Sequence, residues 1–270
     1  MTPLEDLACI SDAVSELPSI SLESLMEQAE LQTRVDRKYL VPADLAADLI
    51  REMSDRLRAL EIDDRRLFRY ESVYFDTDDY ECFNSHRQGR RRRFKVRTRT
   101  YADSGECMLE VKMKGGRAET VKSRLQYAPN ESHMLTTEGR NFVSSLIGDE
   151  ATAERLSPVL ISHYRRATLI DLVDQTRMTC DIELEWLSAE SNSGDPVGDV
   201  LIETKTHGPL GKPDLLLRQN GFRPISISKY CLGVALLNPE MTANPWHRTM
   251  KRHFGWTAAY DNRPAASLVS

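Results

Sequence analysis

Residues 90–99 read RRRRFKVRTR and place seven positive charges in ten positions of a 270-residue chain whose formal net charge is −5. The local sign opposes the global one. Side chains two apart share a strand face, and from Arg91 to Tyr101 the odd positions are Arg91, Arg93, Lys95, Arg97, Arg99 and Tyr101, while Phe94 and Val96 take even ones. A strand here carries cations on one face and apolar contacts on the other. Like charges ~7 Å apart along a strand repel, so such a face is tolerable only beside solvent, acidic neighbours or a bound polyanion.

The same alternation recurs in Arg34/Asp36/Lys38, Glu110/Lys112/Lys114, Lys122/Arg124, Arg177 with Asp181/Glu183/Glu185, and Glu203/Lys205. Opposite faces are apolar, as in Leu109/Val111/Met113 and Ile182/Leu184/Trp186. Taken singly, each charged face reads as the solvated side of an antiparallel sheet. Taken jointly, they line one surface. The expected fold is α+β: a closed, mainly antiparallel β-barrel with a charged, watery lumen and helices packed on its apolar outer face.

Working outward, strands are expected at Arg34–Val41, Arg69–Asp76, Arg91–Tyr101, Cys107–Met113, Ala118–Tyr127, Pro158–Val173, Arg177–Leu187 and Val200–Lys205. Lys114-Gly115-Gly116-Arg117 supplies a glycine pair for a tight hairpin, so the strands on either side should pair antiparallel. Pro42 opens a helix with the stripe Leu45, Leu49, Met53, Leu57 and Leu60. Further helices are expected through Leu22, Leu25, Met26 and Ala29 and over Glu138–Ile147, and a solvent loop at Ser191–Gly198. Residues 1–19 read as a polar leader, 20–238 as the barrel domain, and 239–270 as a tail or plug.

Composition removes several functions. A net charge of −5 argues against a general nucleic-acid coat, and no aromatic residues interleave the basic ladder to stack bases. Cys9, Cys82, Cys107, Cys180 and Cys231 form no CxxC pair, so neither a disulfide framework nor a zinc cluster is expected, and a reducing cytoplasm fits. No signal peptide or apolar run of ~20 residues is apparent. Gly208-Pro209-Leu210-Gly211-Lys212-Pro213 lacks the spacing of a phosphate loop and reads as a turn. The histidines, His163 and His207 included, form no HxxxH pair and read as packing or surface residues.

A lumen of arginine and lysine with a few carboxylates suits a phosphate chain. Arginine grips phosphate oxygens bidentately and lysine acts as a point charge, while carboxylates repel the chain unless a divalent cation stands between. Phosphoryl transfer asks mostly for position and neutralisation, so no Ser-His-Asp or Cys-His device is needed.

The segments RVDRKYLV (34–41), YFDT (74–77), KVRTRTY (95–101), LEVKMK (109–114), VKSR (121–124), YRRA (164–167), RMTCD (177–181), IETK (202–205) and SKYCLG (228–233) resemble, in this order, the VTC domain family of the CYTH-like, triphosphate tunnel metalloenzyme superfamily. The resemblance implies a β tunnel that binds triphosphate or polyphosphate with Mn²⁺ or Mg²⁺ on an acidic residue, and eukaryotic members that polymerise polyphosphate from the terminal phosphate of ATP. Carried over, it makes Lys38, Arg97, Arg99, Lys112, Lys122, Arg166, Arg177 and Lys229 phosphate contacts and Glu203 the metal ligand. Lys95, Arg124 and Lys205 join them along the same faces, and Arg165 is the alternative register to Arg166. Two departures stand out. The superfamily's ExExK strand is represented by Arg34, Asp36 and Lys38, and Ser226 stands where the first lysine of a KxxK pattern is expected.

The resulting expectation is a polyphosphate polymerase acting on ATP. The alternatives are a metal-dependent triphosphatase, on inorganic triphosphate or nucleotides, and a non-catalytic polyphosphate or inositol-phosphate binding module. Eukaryotic relatives work in membrane complexes, so the resemblance also leaves room for a separate membrane subunit.

Overall fold

A computed structural model of the chain describes residues 3–29, 35–114, 120–188 and 198–256. Its strands are β1 (Ser19–Ile20), β2 (Val35–Val41), β3 (Leu57–Leu60), β4 (Phe68–Asp76), β5 (Arg93–Tyr101), β6 (Glu106–Lys114), β7 (Thr120–Tyr127), β8 (Ser157–Asp171), β9 (Thr176–Ser188) and β10 (Val200–Thr206). The helices are α1 (Pro3–Ser15), α2 (Leu22–Ala29), α3 (Ala43–Glu52), α4 (Glu81–Arg87), α5 (Thr137–Ile147), α6 (Glu150–Glu154), α7 (Lys212–Gln219), α8 (Lys229–Leu237) and α9 (His247–Phe254).

One large sheet runs β2-β10-β9-β8-β4-β5-β6-β7, antiparallel at every step, and short β3 pairs with the far end of β8. Alternation decides its two faces. Tyr39, Val41, Val200, Ile202, Met178, Cys180, Ala167 and Leu169 pack outward with α1 and α3, and Val96, Leu109 and Val111 pack outward with Val143 of α5. The intervening charged residues therefore turn inward.

The expected closed barrel is not formed. Among the described residues no ladder joins the end strands β2 and β7, so the sheet is a deeply curved trough. Its curvature brings Lys112 of β6 within electrostatic reach of Asp36 and Glu203 on β2 and β10, at the other end of the strand order. Chain near the head of α8 bridges the opening. Ile225 N–H donates to the Lys38 carbonyl on the free edge of β2 at 2.8 Å, and Lys95 Nζ on β5 donates to Ser228 Oγ at 2.9 Å. Alternating charge marks the faces of strands but carries no information on whether the last strand finds the first, so the sequence overstated closure.

A second correction concerns β9. Asp181, Glu183 and Glu185 were expected on one face. The β8–β9 register slips between His163↔Glu185 and Arg165↔Ile182, giving β9 one extra residue, and Glu183 adopts φ 51°. This bulge reverses the alternation. Asp181 faces inward with Arg166, whereas Glu183 and Glu185 meet Arg165 and His163 on the other side.

Other boundaries moved for simpler reasons. The α3 stripe ends at Glu52, and Leu57–Leu60 pairs with β8, since leucines spaced three or four apart within a short run fit either period. The stretch read as a polar leader contains α1, whose Ile10, Ala13 and Val14 are buried against the α3 side of the core. Beyond Met241, α9 with buried Trp246 and Met250 packs into the main core. Arg34, the Gly115-Gly116 turn, nearly all of the Ser191–Gly198 loop and residues 257–270 lie outside the described residues.

Candidate functional site

Three clusters of charge line the trough, each built on carboxylates shared among several cations. On β5–β7, Arg97 stands directly across from Glu110, and Arg124 across from Glu110 on the other side. Arg97 donates from Nε and Nη2 to Glu110 Oε2 at 2.8 and 2.6 Å, while Lys122 Nζ and Arg124 Nε (3.2 Å) lie against Oε1. Glu110 is 1% exposed. Burial alone would raise its carboxyl, but Arg97, Arg99 and Lys122 overcome that and hold it below the usual carboxylate range. Lys122 shows the opposite outcome. Crowding by protein lowers its ammonium to about 7 against partial support from Glu110. Lys112 is solvent-accessible yet likewise enclosed, and its ammonium is lowered for the same reason, as expected for a side chain in a narrow wet trough.

The second cluster lies on β8 and β9. Arg166 binds Asp181 bidentately, Nε to Oδ1 at 2.6 Å and Nη2 to Oδ2 at 2.8 Å, and Lys229 at the head of α8 contacts the same Oδ2. Burial opposes ionisation of Asp181, but Arg166 and Lys229 prevail and keep it ionised. Aromatic rings back these cations. Tyr70 and Tyr164 stack at 5.2 Å, the Arg166 guanidinium is 5.4 Å from each ring centroid, and Lys229 Nζ is 4.4 Å from that of Tyr164.

Arg99 completes the middle of the trough. It is 9% exposed, its guanidinium lies 5.5 Å from the Tyr70 centroid, and Nη2 donates to Tyr164 Oη at 3.0 Å. Among the described residues it has no carboxylate within ion-pair distance.

The third cluster joins β2 and β10. Glu203 pairs across from Lys38, and Lys205 across from Asp36. Lys205 Nζ sits between Asp36 Oδ2 at 3.0 Å and Glu203 Oε1 at 2.5 Å, with Lys38 Nζ 3.8 Å from Glu203. Burial would raise the Glu203 carboxyl, but Lys38 and Lys205 hold it well below its usual range. Arg177 lies beside Lys205 on β9. Among the described residues no group of three or more His, Cys, Asp or Glu converges as an all-protein metal cage. Mg²⁺ commonly uses one or two carboxylates and takes its remaining ligands from water and substrate phosphates. Asp36 and Glu203, which already share a cation in the Lys205 ammonium, fit that role.

The trough thus gathers Lys38, Lys95, Arg97, Arg99, Lys112, Lys122, Arg124, Arg166, Arg177, Glu203, Lys205 and Lys229 from eight elements. Arg165 is the exception. It binds Glu183 at 2.6 Å on the opposite side of the sheet, because Arg166 takes the inward position. Arg90, Arg91 and Arg92 precede β5 and are exposed at its rim. Sequence reasoning left Glu110 and Asp181 out of the site and overlooked Tyr70 and Tyr164. For Glu110, Asp181 and Tyr164 the available signal was parity, since each lies two or four positions from a residue that was selected, whereas Tyr70 stands on β4, where none was.

A model of the VTC domain matches residues 33–238, about three quarters of the chain. Among solved structures, HpAC1 from Hippeastrum, named as an adenylyl cyclase and credited with a dominant triphosphatase activity, aligns with 15% identity and a TM-score of 0.48 over 75% of this chain and 96% of its own. A Bacillus halodurans protein named as an adenylate cyclase aligns with 14% identity and a TM-score of 0.48 over 73% and 94%, respectively. No curated protein sequence matches. The family match spans every strand of the main sheet and every cluster of the trough, and the chain belongs to the VTC domain family.

Proposed function

We propose that the trough binds a phosphoanhydride chain and that the protein is a polyphosphate polymerase, moving the terminal phosphoryl group of ATP onto a growing polyphosphate. The observation that carries this reading is Arg99. A buried charge without a contacting counter-ion is costly, and Arg99 is nine-tenths buried, with a tyrosine hydroxyl and an aromatic ring against it and, among the described residues, Glu110 acting on it only from beyond ion-pair distance. A polyanion supplies the missing charge. The surrounding clusters point the same way, since Glu110 is shared by three cations and Asp181 by two.

In this reading Arg97, Arg99 and Arg166 grip phosphoryl oxygens and spread the charge that develops on the transferred group. Lys38, Lys112, Lys122, Arg177 and Lys229 neutralise neighbouring phosphates along the chain. Asp36 and Glu203 would hold Mn²⁺ or Mg²⁺, which when bound supplies Lewis-acid neutralisation of phosphate oxygens. A terminal phosphate has a second pKa of ~6, so the attacking oxygen is already anionic near neutrality and requires no general base from the protein. The acceptor alone separates polymerase from triphosphatase: a phosphate chain extends, water hydrolyses. No helix among the described residues is long and apolar enough to cross a membrane. Eukaryotic relatives work in membrane complexes, and the reading leaves room for a separate membrane subunit.

Incubation with ATP and Mn²⁺ followed by sizing of the phosphate product tests the proposal. Accumulation of long chains is expected. Orthophosphate as the sole product would replace the polymerase with a triphosphatase, and tight binding with no turnover would replace both with a binding module.

A further inference from the structure

Inward positions of β4 read Tyr70, Ser72, Tyr74, and those of β8 read Leu160, Ser162, Tyr164. On both strands a small hydroxyl is flanked by large side chains. Ser72 and Ser162 are direct cross-strand partners; Ser72 also stands across from Arg99 on β5, and Ser162 across from Trp186 on β9.

These four residues form one lateral row over four adjacent strands, and each carries a buried polar atom with no hydrogen-bond partner: Ser72 Oγ, Ser162 Oγ, Arg99 Nε and Trp186 Nε1. Both serines are 0% exposed and Trp186 is 4% exposed. Buried polar groups are almost always satisfied, and leaving one unpaired costs stability. Four in succession therefore ask for a reason other than packing, which alanine or valine would serve better. Their chemistry is one-sided. Arginine Nε and indole Nε1 can only donate, and hydroxyls can donate as well as accept. Such a row complements a guest rich in lone pairs and negative charge, as phosphoryl oxygens are.

We propose that Ser72, Ser162 and the Nε–H of Arg99 form a phosphoryl-oxygen subsite in the floor of the trough. Resting on the functional reading above, it assigns one phosphate of the bound chain to a place below the Tyr70–Tyr164 stack. A phosphate drawn to Arg99 arrives beside the two hydroxyls because Arg99 and Ser72 share a register position. Trp186 closes the row under α8, where Gly233 fits against the indole and Leu160 with no room for a Cβ.

The test compares inorganic triphosphate binding by calorimetry for the full chain, Ser72→Ala, Ser162→Ala and the double variant, with ligand-free thermal unfolding of each. The double variant should bind at least about tenfold more weakly, the loss expected for one or two hydrogen bonds to a charged group. Its ligand-free melting temperature should hold or rise, because orphaned hydroxyls have been removed. Either single variant serves if the double does not fold. Wild-type affinity in these variants, or a lower melting temperature with affinity unchanged, would overturn the subsite while leaving the functional reading intact. A wild-type protein that fails to bind triphosphate, or an Arg97→Met variant that binds as tightly as wild type, would overturn that reading itself.

Discussion

On the outer side of β8 and β9, Arg165 meets Glu183 at 2.6 Å and His163 lies between Glu71 and Glu185 at 3.0 and 3.6 Å. On the inner side of the same two strands, Asp181 pairs with both Arg166 and Lys229, and nearby Arg99 has, among the described residues, no carboxylate within ion-pair distance. The outer charges are answered locally, cation by carboxylate. The inner ones are left in excess. Since both faces belong to the same strands, composition and strand propensity cannot account for the difference; in the proposed reading a bound phosphate chain supplies the balancing charge on the inner face.

Removing one carboxylate from each face is the strongest way to break this contrast. Asp181→Asn leaves two buried cations facing each other and should cost ~3–5 kcal/mol in chemical denaturation. Glu183→Gln should cost no more than ~1 kcal/mol, since Arg165 stays partly exposed to solvent. Comparable losses would mean that the faces are not electrostatically distinct. Triphosphate should restore much of the stability lost in Asp181→Asn and none of that lost in Glu183→Gln.

Glu203→Gln sharpens the comparison within the trough. Turnover that depends on Mn²⁺ or Mg²⁺ should fall at least about a hundredfold, equivalent to ~2.7 kcal/mol, while triphosphate still raises the melting temperature. Activity that survives the substitution would place the metal ligand elsewhere.

Lys122 gives the smallest and most specific effect. Its folded-state value of about 7 lies below the ordinary 10.5, so the ligand-free protein releases this proton above pH 7 while the unfolded chain keeps it. The contribution to stability is therefore absent below pH 7 and grows towards pH 10.5. A bound polyanion reverses the preference by favouring the ammonium. Triphosphate binding should take up a proton and weaken from pH 7 to pH 9, whereas Lys122→Arg should bind with a flatter profile in the same calorimetric titrations. Identical profiles would remove Lys122 from the phosphate-contacting face.

Much of this architecture was legible in the chain. The RRRRFKVRTR segment revealed both the strand and its inward face, because a period of two separates Lys95, Arg97 and Arg99 from Phe94 and Val96. Ladders on β6, β7 and β10 followed from the same parity. The bulge at Glu183 was not legible, since a single residue with positive φ leaves no mark in a run of Asp, Ile, Glu and Leu, yet it decides which acid faces inward. Closure was overstated because a strand pattern does not say which edges meet. The tyrosine backing and the serine row escaped notice for a different reason: their significance comes from lateral neighbours on four strands, which sequence order scatters between residues 70 and 186.

Thermal unfolding with increasing inorganic triphosphate, for wild type and Arg99→Met side by side, tests most directly that the inner face awaits a phosphate chain. Binding at a hundred times the dissociation constant stabilises by ~2.7 kcal/mol, or roughly 5–10 °C for a chain of this size. The wild type should show that rise. Arg99→Met should start at an equal or higher melting temperature, having lost a buried charge with no carboxylate in contact among the described residues, and respond only at much higher ligand concentration. A wild-type melting temperature that does not move with millimolar triphosphate, or an Arg99→Met response indistinguishable from wild type, would contradict the account.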